Sequence, residues 1–169
     1  MNNLPIVKTL VWPDEAATAA FATQLAAALT RANLNACITL HGDLGAGKTT
    51  FVRHLLGALG VQGRIKSPTY AIIEPHEGVF QGARINISHF DFYRFDDPRE
   101  WEEAGFRDAF AGAGLKLVEW PQRAKDCLPT ADLALHLSWP ADGTEWRQAA
   151  WQAQSATGAH LLESMTIAR

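Results

Sequence analysis

Gly42-Asp43-Leu44-Gly45-Ala46-Gly47-Lys48-Thr49 matches the pattern G-x-x-x-x-G-K-[ST] at every fixed position. The glycines let successive backbone N–H groups turn inward around phosphate oxygens, in conformations that a Cβ would obstruct. Lys48 brings a point charge for β- and γ-phosphates, and the Thr49 hydroxyl is placed to complete the shell of a Mg²⁺ ion. A helix opening at the loop turns its positive end toward the same anion. The stretch therefore predicts a bound nucleoside triphosphate.

The flanks agree. Ala36-Cys37-Ile38-Thr39-Leu40-His41 is a short, mostly apolar run with β-branched residues, as expected of a buried parallel strand. After the loop, Phe51, Val52, Leu55, Leu56 and Leu59 recur at helical spacing, and Gly60 supplies a stop. A glycine-rich turn with a fortuitous lysine would carry no such strand and helix.

The 169 residues are enough to bury a core without disulfides or a structural metal, and are expected to form one domain, 1–169. A net charge of −3 supplies no general basic field, so any RNA contact is local or made through a partner. Cys37 and Cys127 show no C-x-x-C spacing and read as reduced thiols in or near the core. The amino terminus lacks the features of a secretory signal and no apolar run reaches bilayer-spanning length, which points to the cytoplasm.

Along the chain, Pro13-Asp14-Glu15 opens an Ala-rich helix to about Ala32, with Phe21, Leu25 and Leu29 on one face. Ala71 to Glu74 and Ala83 to Phe90 read as a hairpin around a turn at Glu77 to Gly82. Pro98 to Gly105 and Phe106 to Phe110 are helical in composition, and Leu115 to Val118 form a short strand that delivers Glu119. Leu133 to Trp139 and Glu145 to Gln154 predict a late hairpin around Asp142-Gly143, followed by a helix from about Ala159 to Met165. The expected fold is α/β, of the P-loop NTPase-like three-layer type, with a mixed, mostly parallel central sheet and the antiparallel hairpin late in the chain.

A phosphate loop needs an acid near its metal, because Mg²⁺ prefers hard oxygen ligands. Asp91 and Glu119 both end predicted strands, where ligands of α/β sheets collect. Either fits as metal ligand or as the group that orients an attacking water. Ser67-Pro68-Thr69 offers two hydroxyls for sensing a γ-phosphate, or an ordinary turn. His89 reads as a packing residue, with a bridge from Asp91 to substrate as the alternative. Trp120 is expected beside the core with partial exposure.

Taken in order, the loop extended through Thr50-Phe51, Ser67-Pro68-Thr69-Tyr70, His89-Phe90-Asp91-Phe92-Tyr93-Arg94 and Val118-Glu119-Trp120-Pro121 resemble the TsaE (YjeE) family over about Asp14 to Gly158. The resemblance implies a cytoplasmic ATPase needed for threonylcarbamoyladenosine in tRNA, with ATP and Mg²⁺ as cofactors. It implies that Lys48 holds phosphate, that Thr49 and Glu119 lie at the metal, and that Asp91 is important for hydrolysis and a further metal-side acid. Gly45, Ala46, Gly47 and Thr50 belong to the same nucleotide cradle. Thr18 aligns with a family threonine near the nucleotide, and Trp120 with the tryptophan after the acid. Arg147 corresponds to an arginine of the late hairpin, across a spacing longer than usual. Phe92 stands where leucine is common, which removes no chemical group. The implied partners are TsaD and TsaB homologues, with tRNA reached indirectly through their complex and hydrolysis resetting it between turnovers.

Two other readings compete. A small-molecule kinase would need an acceptor pocket and clustered lid arginines, which Arg94, Arg99, Arg107 and Arg123 do not form in sequence. A nucleotide-gated binding module would bind ATP tightly, hydrolyse little of it, and couple nucleotide to partner reciprocally. No N-K-x-D guanine-reading segment is present, which argues for adenine.

Overall fold

The computed structural model describes residues 6–65, 68, 72–124, 126–140 and 142–165. Seven strands form one sheet in the order β1-β7-β6-β2-β5-β4-β3. They are β1 (Val7–Trp12), β2 (Ala36–His41), β3 (Ile73–Phe80), β4 (Ala83–Asp91), β5 (Leu115–Glu119), β6 (Leu133–Ser138) and β7 (Arg147–Ala153). The central strands β6, β2, β5 and β4 are mutually parallel. The outer pairings β1 with β7, β7 with β6 and β3 with β4 are antiparallel. Five strands therefore run one way and only β3 and β7 oppose them, which is the mixed, mostly parallel sheet that the sequence predicts.

Strand alternation divides the core into two layers. On one face Ile38, Leu40, Ile87, Leu117, Leu135 and Trp151 pack with the helices α1 (Glu15–Arg31), α2 (Lys48–Ala58) and α5 (Ala156–Ser164). The residues between them point the other way: Phe90 and Val118 join Phe92, Phe95, Trp101 and Phe106 beneath α3 (Pro98–Glu103) and α4 (Phe106–Ala111). Helices thus cover both faces, as a parallel centre requires.

Local chemistry sets the helix ends. Asp14 caps α1 by accepting from the Ala17 N–H at 2.9 Å, and Glu15 lies in the first turn where a carboxylate is favoured. Ser155 caps α5 through the Gly158 N–H at 3.0 Å, so this helix begins three residues before the expected Ala159. Phe51, Val52, Leu55 and Leu56 are fully enclosed and fix α2 against the sheet. Each such side chain contributes roughly 1.5–3 kcal/mol through burial.

Two parts of the fold depart from the sequence reading. β1 was assigned no element there; its inward Lys8 donates to the Leu162 carbonyl at 3.0 Å, which interrupts the apolar pattern of a strand. The first hairpin turns at Gln81-Gly82, both with positive φ, rather than across Glu77 to Gly82. Gly78, inside the expected turn, lies within β3, where a Cβ would come within 2.4 Å of the Leu59 carbonyl oxygen. Its absence lets the chain leaving α2 cross the strand closely.

Candidate functional site

β2, β5 and β4 are neighbours, and Leu40 and Asp91 are both register partners of Glu119. The glycine-rich loop after β2 and both acids therefore meet at the carboxyl ends of parallel strands, the usual ligand position in such sheets. Gly42, Gly45 and Gly47 have φ of 148°, 82° and 104°, values that L side chains rarely adopt. At Gly42 a Cβ would also lie 2.6 Å from the Leu137 carbonyl oxygen. Gly47 is the N-cap of α2 and offers no side chain, so the first-turn N–H groups are left for a ligand.

Lys48 is 5% exposed and folds back on its own loop. Its Nζ donates to the carbonyls of Gly42 at 2.5 Å and Asp43 at 3.0 Å and sits 4.1 Å from the centre of the Trp120 ring. Burial lowers its pKa, against which Glu119, Asp91 and Asp43 pull upward. An arriving polyanion would strengthen that upward pull and favour the ammonium.

Glu119 is enclosed, with both carboxylate oxygens engaged. Thr49 Oγ1 donates to Oε1 at 2.8 Å, and His89 Nε2 lies 2.6 Å from Oε2. Asp91 is more open, and its Oδ1 accepts from the Tyr93 N–H at 2.9 Å. Burial raises the pKa of Asp91, the Tyr93 hydrogen bond opposes this, and Glu119 adds to the rise. The two acids, equivalent in sequence, thus differ: Glu119 is tied to Thr49, whereas Asp91 faces the cleft.

Two clefts flank the loop. One, of about 470 Å³, is lined by Lys48, Thr49, Asp91, Glu119, Trp120 and Arg94, among others. Pro68 reaches this cleft too, while Ser67 and Thr69 lie outside the described residues. The other, of about 330 Å³, is lined by Trp12, Asp14, Thr18 and Arg147. Gly45, Gly47 and Thr50 border both, and Ala46 borders the second. Arg147 reaches the loop despite the lengthened hairpin, its Nε donating to the Ala46 carbonyl at 3.2 Å and its guanidinium lying 4.6 Å from the Trp139 ring centre. All nine expected nucleotide-side residues therefore border the loop or its clefts.

Trp120 is half-buried, as expected, with φ of 55°, which turns the chain sharply after Glu119. Its ring packs on Tyr93 at 4.9 Å. Sequence reasoning undervalued His89, whose place two residues before Asp91 on one strand gives both side chains the same face. It missed Trp139 altogether, since only the folded hairpin brings that ring to Gly45 and Arg147. Among the described residues, no group of three or more His, Cys, Asp or Glu side chains is arranged to hold a metal ion. Nor is any described helix long and apolar enough to cross a membrane.

The sheet order, the covering helices and the glycine-rich turn between β2 and α2 define an α/β protein of the P-loop NTPase-like fold. The sequence model of the family described as threonylcarbamoyl adenosine biosynthesis protein TsaE matches residues 12–149. The tRNA threonylcarbamoyladenosine biosynthesis protein TsaE of Haemophilus influenzae is 35% identical over 156 residues, 91% of this chain and 94% of its own length. The Bacillus subtilis protein of the same name is 40% identical over 99 residues, 58% of each chain. The crystal structure of Bacillus subtilis YdiB is similar with a TM-score of 0.70 and 27% identity, covering 96% of this chain and 95% of that one. This chain belongs to the TsaE family.

Proposed function

We propose that this protein is a Mg²⁺-dependent ATPase of the cytoplasm that serves threonylcarbamoyladenosine modification of tRNA together with TsaD and TsaB homologues. The observation that carries the reading is the convergence of Lys48, Thr49 and Glu119 on one glycine-rich loop, with α2 opening behind it. Family membership supplies the pathway, and the net charge of −3 favours contact with tRNA through partners rather than alone.

ATP would span the loop, with its phosphates in the Lys48 cleft and its nucleoside toward Thr18 and Arg147. The hard oxygens of Thr49 and Glu119 suit Mg²⁺, with Asp91 as a further acid on the same cleft. Bound there, Mg²⁺ would neutralise phosphate charge. Lys48 exchanges its two loop carbonyls for phosphate oxygens, and the α2 amides take charge developing on the phosphoryl group. Asp91, raised in pKa by burial and open to the cleft, orients a water. The water oxygen bonds to the γ-phosphorus as the bond to the β–γ bridging oxygen breaks and one water proton is released, giving ADP, phosphate and H⁺. Hydrolysis then resets the modifying complex between turnovers.

The test is calorimetric titration with ATP in Mg²⁺. The wild-type protein is expected to bind, and Lys48→Ala to bind at least about tenfold more weakly. Equal affinity in the two proteins would remove the assignment.

A further inference from the structure

Both oxygens of Glu119 are held, and they are held by different elements: Oε1 by Thr49 on α2, Oε2 by His89 on β4. The His89–Glu119 pair is sealed from solvent, with side-chain exposures of 0% and 2%. Its geometry follows from the register of the parallel strands. His89 is the partner of Leu117, so Glu119 lies two residues further along β5 on the same face. At 2.6 Å from a carboxylate oxygen, His89 Nε2 is within hydrogen-bond distance, and as an N–H it donates to Oε2.

The other ring nitrogen adds an independent constraint. His89 Nδ1 is buried and has no hydrogen-bond partner among the described residues. The ring of His76 has its centroid 6.5 Å away, and its own buried Nε2 likewise has no partner among the described residues. Among the described residues nothing on the Nδ1 side selects the opposite tautomer, and the Glu119 carboxylate is the partner that fixes the imidazole. A histidine kept only for packing would have no reason to direct its proton at the one acid that also binds Thr49.

We propose that His89 is a positioning residue for the nucleotide–metal site: its Nε2–H fixes the Glu119 carboxylate so that Oε1 faces Thr49. The proposal rests on the Mg²⁺–ATP reading above. Without this donor Oε2 would be a buried, unsatisfied anionic oxygen, and the carboxylate would rotate to find another partner. Outer partners of metal ligands act in this way, and their loss typically weakens metal affinity by about 10–100-fold.

The test compares His89→Leu, which keeps apolar volume but removes the donor, with His89→Gln, whose amide N–H can reach the same oxygen. Mg²⁺ is titrated into each protein saturated with ADP, and ADP affinity is measured separately in EDTA. His89→Leu is expected to raise the apparent Mg²⁺ Kd by about 10-fold or more, with ADP affinity in EDTA unchanged and Mg²⁺ affinity largely restored in His89→Gln. Normal Mg²⁺ affinity in His89→Leu, or no rescue by glutamine, would overturn the proposal. Should His89→Leu fail to fold, histidine ¹⁵N spectra of the wild-type protein decide. They are expected to show His89 protonated at Nε2, with a resonance that moves in Glu119→Gln, and an Nδ1–H tautomer would overturn the proposal. A wild-type protein that binds no ADP in either condition would remove the nucleotide reading itself, and this role with it.

Discussion

Thr49 and Glu119, 70 residues apart in the chain, meet through a 2.8 Å hydrogen bond from Thr49 Oγ1 to Glu119 Oε1. The contact joins the first turn of α2 to the end of β5, so the rigidity of the whole sheet sets the position of one hydroxyl relative to one carboxylate. Glu119→Gln retains the shape and an acceptor for Thr49 but removes the charge. It is expected to lower the Mg²⁺ dependence of ATP binding at least about tenfold while sparing binding in EDTA, measured by titration under both conditions. An unchanged response to Mg²⁺ would take Glu119 away from the metal.

Arg147 holds the glycine-rich loop through the Ala46 carbonyl, while its guanidinium lies over the Trp139 ring. Arg147→Ala is expected to weaken nucleotide binding by about tenfold, corresponding to about 1.4 kcal/mol. Arg147→Lys should recover little, since an ammonium cannot both stack as a plane and donate sideways. Titration of both variants checks this, and full affinity in the alanine variant would place Arg147 outside the nucleotide site.

Two glycines should respond to alanine with opposite signs. At Gly158 a Cβ would come 1.8 Å from the Asp132 carbonyl oxygen, where backbone must move. Gly158→Ala is expected to destabilise by about 2 kcal/mol or more. Gly57 lies within α2 with open space around its would-be Cβ, so Gly57→Ala should stabilise by about 0.5–1 kcal/mol. Urea unfolding midpoints measure both, and the same sign in the two variants would contradict this packing.

Burial, the stacked His136 ring and Lys48 push His41 down from 6.5 to about 4. Within that window the unfolded chain binds a proton that the native protein refuses, so unfolding becomes easier as pH falls. Burial lowers His76 and His136 in the same direction. Unfolding measured at about pH 7 and about pH 5 is expected to show a loss on the order of 1–2 kcal/mol from His41, which His41→Gln should abolish. An undiminished slope in that variant would place the titrating groups elsewhere.

The elements nearest the loop were the most legible in sequence, because their signals are local. The glycine spacing, the apolar run before it and the helical recurrence after it are all short-range consequences of backbone geometry. The hairpin of β6 and β7 was equally clear from alternation around Asp142-Gly143. What sequence could not carry depends on contacts between distant segments. The expected turn at Glu77 to Gly82 was too long because the close approach that requires glycine at 78 is made by the Leu59 carbonyl, remote in sequence. Lys8 obscured β1 because its ammonium is satisfied by Leu162, far along the chain. The acids Asp91 and Glu119 were found but not distinguished, since Thr49 and His89 separate them only in three dimensions.

The central claim is ATP hydrolysis governed by partners, and phosphate release from Mg²⁺–ATP tests it most directly. The protein is assayed alone and then with its TsaD and TsaB counterparts. Marked stimulation by those partners, absent in Lys48→Ala, is the predicted result. Turnover indifferent to the partners, or retained in Lys48→Ala, would contradict it.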